Sequence, residues 1–161
     1  MKVRAIMTTD IGFCHLEDSL TKAAEIMWQK DCGVVPLVDE ENKVVGMITD
    51  RDICIAAATR NQKTSDIKAK EMIRGEVFSC AATDDIETAL KKMRKYQLKR
   101  LPITDETGEL VGILSIADIL LRGRNDKKLR KRIYSTLKAI STSRPIVLKE
   151  ISPSAKADGN S

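Results

Sequence analysis

The heptapeptide GMITDRD at residues 46–52 is matched 66 positions later by GILSIAD at residues 112–118. Both fit the pattern Gly-x-x-Thr/Ser-x-x-Asp, which therefore occurs twice in this chain of 161 residues. The similarity extends to both sides, because sliding residues 14–55 onto 80–121 keeps eleven identities. They include Pro36/Pro102, Asp39/Asp105, Glu40/Glu106, Val45/Val111, Gly46/Gly112, Asp52/Asp118 and Ile53/Ile119. Chance alignment rarely keeps a proline, an acidic turn and a glycine in one register, so the sequence indicates an internal duplication.

Each copy predicts the same order of elements: strand, helix, strand, strand, helix. The first helix of the first copy carries five apolar residues at helical spacing, which predict one buried face. They are Leu20, Ala23, Ala24, Met27 and Trp28. Two apolar runs separated by an acidic turn at residues 39–42 predict a hairpin. The predicted bounds are strands at 12–16, 34–38 and 43–48 with helices at 19–31 and 50–58, and in the second copy a strand at 77–81 with helices at 85–97 and 116–123.

The predicted fold class is α+β, with two β-α-β-β-α repeats related by a pseudo-twofold axis and a basic helix after them. A unit of about 55–60 residues buries too little apolar surface to be stable alone, so we expect the two sheets to pack face to face over one shared core. The predicted parts are a first repeat at 5–58, a connector at 59–70, a second repeat at 71–122, a basic helical extension at 123–150 and a disordered tail at 151–161.

Composition excludes several classes of protein. Aromatic residues make up only 3% of the chain, which argues against a nucleic-acid platform built on base stacking. A single histidine, His15, excludes a multi-histidine metal site, and the four cysteines form no C-x-x-C pair. No apolar run approaches the roughly 18 residues of a membrane span. We therefore expect a cytoplasmic protein with reduced thiols, no transmembrane segment, no metal site and no catalytic cofactor.

The two heptapeptides, each after a hairpin whose first strand carries an apolar-Pro-apolar triplet, resemble the CBS-domain pair, also called the Bateman module. The resemblance covers about residues 5–122 and extends to stand-alone bacterial CBS-pair proteins. It implies a cleft between the repeats that holds an adenosyl ligand: AMP, ADP, ATP, NAD(H) or S-adenosylmethionine. It also implies a regulatory role without catalysis, such as a stress response, together with a disc-shaped homodimer and a regulated protein partner.

Thr49 and Asp52, like Ser115 and Asp118, lie where a predicted strand meets a helix. One interpretation is structural, since a hydroxyl at the N-cap and an acid three residues later form a common helix start. The other is functional, because a helix N-terminus attracts phosphate and a carboxylate there can accept two hydrogen bonds from ribose hydroxyls. In the family that these motifs resemble, this aspartate holds the ribose. The two interpretations are compatible, because one residue can both cap and bind.

Lys99 and Arg100 resemble the basic pair that contacts phosphates in nucleotide-binding members of the family. Arginine offers a planar fork to phosphate oxygens and lysine a point charge. The alternative is that both are solvated charges beside a strand. The first copy has Gly33-Val34 at these positions and only Arg51 nearby. We therefore expect the motif of the second copy to form the site that favours phosphorylated ligands.

Adenine needs an apolar slot with backbone hydrogen bonds and does not require an aromatic side chain. We expect Val34, Val35 and Leu101 to line this slot. Cys14 and Cys80, at matching positions of the first strands, are further candidates. The cysteines also fit a simpler role as small buried hydrophobes, and no ligands at metal-binding spacing accompany them.

The basic charge is concentrated near the C-terminus. Residues 122–150 hold ten Lys or Arg and two acids, whereas the whole chain carries a formal net charge of +5. Four apolar residues in this segment lie on one face of a predicted helix, namely Leu129, Ile133, Leu137 and Ile140. Such a helix docks on the module or on its dimer mate, or it binds nucleic acid, an acidic protein or an anionic membrane. The favoured function is a non-catalytic adenine-nucleotide sensor, and the alternative is a scaffold or interaction module that acts through this helix.

Overall fold

The elements of the chain follow the duplicated order that the sequence predicts. The computed structural model describes residues 1–122 and 126–142. The first repeat contains β1 (Cys14–His15), α1 (Leu20–Gln29), β2 (Val34–Val38), β3 (Val44–Thr49) and α2 (Asp50–Thr59). The second contains β4 (Cys80–Ala81), α3 (Ile86–Tyr96), β5 (Arg100–Thr104), β6 (Leu110–Ser115) and α4 (Ile116–Arg122), and α5 (Lys127–Ser141) follows it. The predicted α+β class, with two β-α-β-β-α repeats and a basic C-terminal helix, is confirmed.

Each repeat builds a three-stranded sheet of the same topology. β1 runs parallel to β2, which pairs antiparallel with β3, and β4, β5 and β6 repeat this arrangement. The first hairpin turns at Asp39, whose Oδ1 accepts the backbone N–H groups of Glu41 and Lys43, each at 2.9 Å. Asp105 caps the second turn in the same way. The side chain of an aspartate thus substitutes for backbone partners at both turns, which is why the acidic residue occurs in each copy.

The repeats exchange the segments that precede them. Val3, which precedes the first repeat, is fully buried in the core of the second, and its N–H donates to the carbonyl oxygen of Asp84 at 2.9 Å. Ile67, Ala69 and Met72, which precede the first strand of the second repeat, are buried in the core of the first. The end of the predicted connector at 59–70 therefore completes a core as well as joining the repeats.

The buried side chains form two clusters, which corrects the expectation of one shared core. One cluster lies between the first sheet and its helices, with Leu37 and Ile48 at its centre, and the other contains Ile103 and Leu114 of the second sheet. Each sheet turns its apolar face towards its own helices and the exchanged segment, so each repeat closes its core separately.

The buried face of α1 is narrower than the sequence predicts. Three of the five predicted residues are buried, but Ala24 is exposed and the side chain of Trp28 is 89% exposed. In the second repeat, α5 packs along α3, and Leu90, the counterpart of Ala24, is only 3% exposed. The flank of α1 that carries Trp28 is left open because the first repeat has no equivalent of α5 among the described residues.

α5 docks on α3 and α4 through an apolar stripe. Its buried residues are Leu129, Ile133 and Thr136. Leu137, which the sequence places on the same face, is 36% exposed because it lies at the edge of the buried stripe, about 70° around the helix from its centre. Asp126 begins the helix by accepting two backbone N–H groups of the first turn. Residues 123–125 and 143–150 of the predicted extension, and the tail predicted at 151–161, lie outside the described residues.

Candidate functional site

A cavity of about 600 Å³ lies between the two repeats. Its walls come from the end of β3 and the start of α2, from residues 72–78 before β4, and from residues 97–102 between α3 and β5. The polar and charged lining residues are Thr49, Arg51, Asp52, Arg74, Glu76, Gln97, Lys99 and Arg100. Sites for small molecules typically measure about 300–1,000 Å³, so this cavity is large enough to hold one.

Thr49 and Asp52 form the capping box that begins α2. The Thr49 Oγ1 accepts the N–H of Asp52 at 3.2 Å, and the Asp52 Oδ2 accepts the N–H of Thr49 at 3.0 Å and its hydroxyl at 2.6 Å. Both hydrogen bonds that the Asp52 carboxylate accepts end on Oδ2. Its Oδ1 accepts no hydrogen bond from the described residues. The residue therefore caps the helix with one oxygen and leaves the other open.

Four cationic side chains surround the cavity and give it an excess of positive charge. They are Arg51, Arg74, Lys99 and Arg100, against the two carboxylates of Asp52 and Glu76. All four cations are exposed, and none forms an ion pair with another described residue. Unpaired cations around a concave site raise the local concentration of anions and are available for phosphate oxygens.

Lys99 and Arg100 line the same cavity as Thr49 and Asp52. This corrects the expectation that they form a site with Ser115 and Asp118. The backbone of Arg100 does pair with Ser115 within the second sheet. Neither Ser115 nor Asp118 lines the cavity, however. Because the repeats pack against each other, the start of β5 meets the N-terminus of α2 across the cavity.

The motif of the second repeat forms the same capping box, but the strand before it, β6, is covered by the N-terminal segment of the chain. The Asp118 Oδ2 accepts the N–H of Ser115 at 2.7 Å and its hydroxyl at 2.6 Å. The adjoining backbone of β6 is occupied, because Thr8 and Ile113 exchange two backbone hydrogen bonds of 2.9 Å. Met47, which is equivalent to Ile113, instead lines the cavity. Of the two motifs, the one in the first repeat therefore lies at the open cavity.

The apolar wall of the cavity consists mostly of residues that no motif in the sequence identifies. Val34 lines it as expected. The additional apolar residues are Met72, Ile73, Val77, Phe78, Leu98, Pro102 and Ile140. The ring of Phe78 stacks on Tyr96 with centroids 3.5 Å apart, so a fixed aromatic ring forms part of the wall. The position of residues 72–78, directly before a strand of the second repeat, is the only sequence signal that they carry.

Two of the predicted adenine contacts face the other side of their strands. Val35 and Leu101 are fully buried in the two cores and do not line the cavity. Their neighbours Val34 and Pro102 line it instead. Successive side chains of a strand point to opposite faces of the sheet, so only one of each pair can reach the cavity.

Cys14 and Cys80 are also core residues and not contacts of the cavity. Their side chains are 0% and 1% exposed, and neither lines the cavity. Burial raises the pKa of each thiol to about 11, which keeps both neutral at physiological pH. They therefore act as small hydrophobes, as the simpler interpretation of the sequence holds.

Residues 1–122 and 126–142 contain neither a candidate metal cluster nor a helix that could span a membrane. No group of three or more His, Cys, Asp or Glu side chains there could hold a metal ion. No helix in the same ranges is long and apolar enough to cross a lipid bilayer.

Comparison with known proteins identifies related sequences. The family model for the CBS domain matches residues 3–58 and 66–124. Hypoxic response protein 1 of Mycobacterium tuberculosis is 32% identical over 116 residues, which cover 72% of this chain and 80% of that protein. Homoserine O-acetyltransferase of Methanococcus vannielii is also 32% identical, over 117 residues that cover 73% of this chain. That match spans only 24% of the longer protein, so it concerns one part of it.

Solved structures show the same fold. The crystal structure of Hypoxic Response Protein I with two coordinated zinc ions has a TM-score of 0.69 and 30% identity, covering 75% of this chain and 98% of that one. The crystal structure of the CBS domain pair of protein MJ0100 in complex with 5′-methylthioadenosine and S-adenosyl-L-methionine has a TM-score of 0.67 and 28% identity, covering 78% and 98%. With the duplicated sheets, the two capping boxes and the cavity between the repeats, these matches show that the chain belongs to the CBS-domain family, as two CBS domains in tandem, an arrangement that is generally regulatory and non-catalytic.

Proposed function

We propose that this module senses a phosphorylated adenine nucleotide (AMP, ADP, ATP or NAD(H)) bound in the cavity at Thr49 and Asp52. The observation that carries the proposal is the combination of an open carboxylate oxygen at a helix N-terminus with four cations that have no ion-pair partner among the described residues. A carboxylate accepts hydrogen bonds from ribose hydroxyls, and guanidinium and ammonium groups pair with phosphate. The cavity thus offers partners for both polar parts of a nucleotide.

The proposed contacts assign each part of the ligand to one wall. Asp52 Oδ1 accepts hydrogen bonds from the ribose. Arg74, Lys99 and Arg100 contact the phosphates, with the guanidinium groups as planar donors. The base lies against the apolar wall near Val34, where burial of its faces supplies the remaining affinity.

S-adenosylmethionine is the alternative ligand. The CBS domain pair of MJ0100 was solved in complex with 5′-methylthioadenosine and S-adenosyl-L-methionine, which supports an adenosyl compound as the ligand of the present chain. The charge of the present cavity favours a nucleotide, because a sulfonium cation would be repelled by four cations that only two carboxylates offset.

A regulatory ligand acts by binding two states of the protein with different affinities. Ile140 of α5 lines the cavity, and the Gln97 side-chain amide donates to the carbonyl oxygens of Ala139 and Thr142 at 3.0 and 3.2 Å. The C-terminal end of α5 is therefore joined to the wall that carries Lys99. We propose that α5 passes the occupancy of the cavity to a protein partner in the cytoplasm.

A thermal-shift panel tests the proposed function. The purified protein is melted with AMP, ADP, ATP, NAD, NADH, S-adenosylmethionine and adenosine, with GTP as the control. A ligand that binds only the folded state stabilises it by about 2.7 kcal/mol at a hundred times its dissociation constant. We expect the largest shifts with the phosphorylated adenine compounds. No shift with any adenine compound, or an equal shift with GTP, would contradict the proposal.

A further inference from the structure

α5 presents a cationic face to solvent on the side opposite the one that packs on α3 and α4. The helix contains six Lys or Arg between residues 127 and 141 and no acidic residue. Its buried side is fixed by Leu129, Ile133 and Thr136. At about 100° per residue, the other side of the helix carries five of the six cations. These five exposed residues are called the α5 basic face below: Lys127, Lys128, Arg130, Lys131 and Lys138.

The charges of the α5 basic face are not compensated by the protein. None of its five side chains forms an ion pair within the described part of the chain. The sixth cation of the helix, Arg132, is instead paired with Glu87 of α3. Five exposed cations without an acidic partner on one helix create a positive potential that attracts an anionic partner.

A recess beside the α5 basic face adds further cations. It lies between α3 and α5, has a volume of about 170 Å³ and is lined by Glu87, Leu90, Lys91, Arg94, Arg132 and Thr136. One water takes up roughly 30 Å³ of liquid, so the recess has room for a phosphate group and some of its waters. Lys91 and Arg94 are exposed and form no ion pair with another described residue, so both are available to phosphate oxygens.

The surroundings of the charges distinguish three kinds of anionic partner. Interfaces with proteins are depleted of lysine and have an apolar centre, whereas four of the five residues of the α5 basic face are lysines. A helix on a membrane surface inserts its apolar face among the lipids, but the apolar face of α5 is already buried within the protein. A lysine-rich face instead suits a nucleic acid, whose phosphates bind through electrostatic contacts and counterion release.

We propose that the α5 basic face binds double-stranded DNA at the major groove. Lys128 and Arg130 lie about 160° apart around the helix axis, with Lys131 between them. The major groove is about 12 Å wide and admits an α-helix, so side chains on both flanks of α5 reach phosphates on opposite sides of the groove. The recess at Arg94 holds one more phosphate. DNA binding by α5 goes beyond the proposed nucleotide sensing and is independent of it.

The proposed contacts are mostly to phosphates, which position a protein on DNA without reading its sequence. Lysine acts as a flexible point charge and does not form the rigid planar fork of arginine. We therefore expect the same affinity for duplexes of unrelated sequence and a strong dependence of this affinity on salt.

Fluorescence anisotropy with a labelled duplex of about 20 base pairs is the first test. Six phosphate contacts, five from the α5 basic face and one in the recess, give a slope of about −5 when the logarithm of the association constant is plotted against that of the salt concentration. Lys127→Gln/Lys131→Gln/Lys138→Gln removes three of these contacts. We expect a slope of about −3 for this variant and, at low salt, a dissociation constant at least tenfold higher than that of the wild type.

A matched variant controls for net charge. Lys22→Gln/Lys43→Gln/Lys63→Gln removes the same charge from three exposed lysines of the first repeat and the connector, so we expect it to keep the wild-type slope. Arg94→Gln should lower the magnitude of the slope by about one unit, because it removes the contact in the recess. Circular dichroism confirms that each variant folds. An equal loss of DNA binding in the control and in the α5 variant would overturn the proposal.

Competition against the labelled duplex is the second test. The competitors are duplex RNA of the same length, vesicles of phosphatidylserine and phosphatidylcholine, and polyglutamate. The major groove of duplex RNA is deep and narrow, so α5 cannot enter it and we expect RNA to compete more weakly than unlabelled DNA. Absence of DNA binding at low salt, or DNA binding that the α5 variant retains, would overturn the proposal. So would competition by RNA, vesicles or polyglutamate that equals or exceeds competition by DNA.

Discussion

Asp52 combines a structural role and a proposed binding role within one carboxylate, because Oδ2 holds the capping box and Oδ1 accepts no hydrogen bond from the described residues. The sequence predicts both roles from the spacing Thr-x-x-Asp. It cannot predict which of two consecutive strand residues reaches the cavity, because that depends on how the strand is oriented. Val34 lines the cavity and Val35 does not. The partner of Lys99 and Arg100 was equally unpredictable, since it depends on how the two repeats pack.

Replacing Asp52 should weaken nucleotide binding more than replacing Asp118. Asp52→Ala removes the proposed ribose acceptor, and a hydrogen bond to a charged group contributes about 1.5–3 kcal/mol, or roughly a tenfold to hundredfold change in dissociation constant. Asp118→Ala loses the same kind of capping box, worth about 1 kcal/mol of stability, but lies outside the cavity. Titration calorimetry with AMP compares the two variants, and equal losses of affinity would refute the assignment of the open site.

Arg100 should distinguish phosphorylated from unphosphorylated ligands. Arg100→Ala removes a charge-assisted contact, so we expect AMP and ATP to bind about tenfold more weakly and adenosine to bind as before. Lys63→Ala, an exposed cation outside the cavity, serves as the matched control. An equal loss for adenosine would remove Arg100 from the phosphate contacts.

The cysteine thiols should differ in reactivity because they differ in burial. Cys54 is exposed, so an aromatic disulfide reagent should modify it quickly in the folded protein, whereas Cys14 and Cys80 should react only on unfolding. Their folded pKa of about 11 exceeds the ordinary 9.0, so the stability from burying neutral thiols is complete below pH 9 and is lost as the pH rises towards 11. The free energy of unfolding at pH 8 and pH 10 measures this loss of stability, with Cys14→Ala/Cys80→Ala as the control. A loss of stability between these pH values that is as large in the control as in the wild type would show that other groups cause it.

At the scale of elements, periodicity predicts helices and strands well and their burial less well. β2 and α2 begin where the apolar runs and the capping motif predict. Trp28 and Leu137 are exceptions for the same physical reason. A residue at the margin of an amphipathic face is buried only if a neighbouring element covers it, and the pattern of a single helix does not contain that neighbour.

The docking of α5 gives a prediction for stability. Ile133 is 1% exposed within the core of the second repeat, so Ile133→Ala should lower the free energy of unfolding by about 2–5 kcal/mol. Ser135→Ala, on the exposed side of the same helix, should change it by less than about 0.5 kcal/mol. Urea unfolding compares the two variants, at a protein concentration too low for self-association. Similar values for the two variants would mean that α5 is not docked in solution.

At the scale of the whole molecule, two motifs of the same Gly-x-x-Thr/Ser-x-x-Asp pattern have different surroundings. The exchanged segments are equivalent by the duplication, yet Thr8 pairs with β6 whereas residues 72–78 leave Met47 open to the cavity. Contacts between segments so distant in sequence leave no local pattern, which is why neither the exchange nor the two separate cores could be predicted. α5 adds a second asymmetry, because it packs on α3 and α4 of the second repeat and lines the cavity through Ile140, whereas no described helix packs in the same way on the first repeat.

The number of nucleotides bound by each chain tests this account most directly. We would titrate AMP into the wild-type protein by calorimetry and determine affinity and stoichiometry in one experiment. We expect one site per chain, lost in Asp52→Ala and retained in Asp118→Ala. Two equivalent sites per chain would contradict the asymmetry of the repeats, and the absence of binding by every adenine nucleotide would contradict the proposed function.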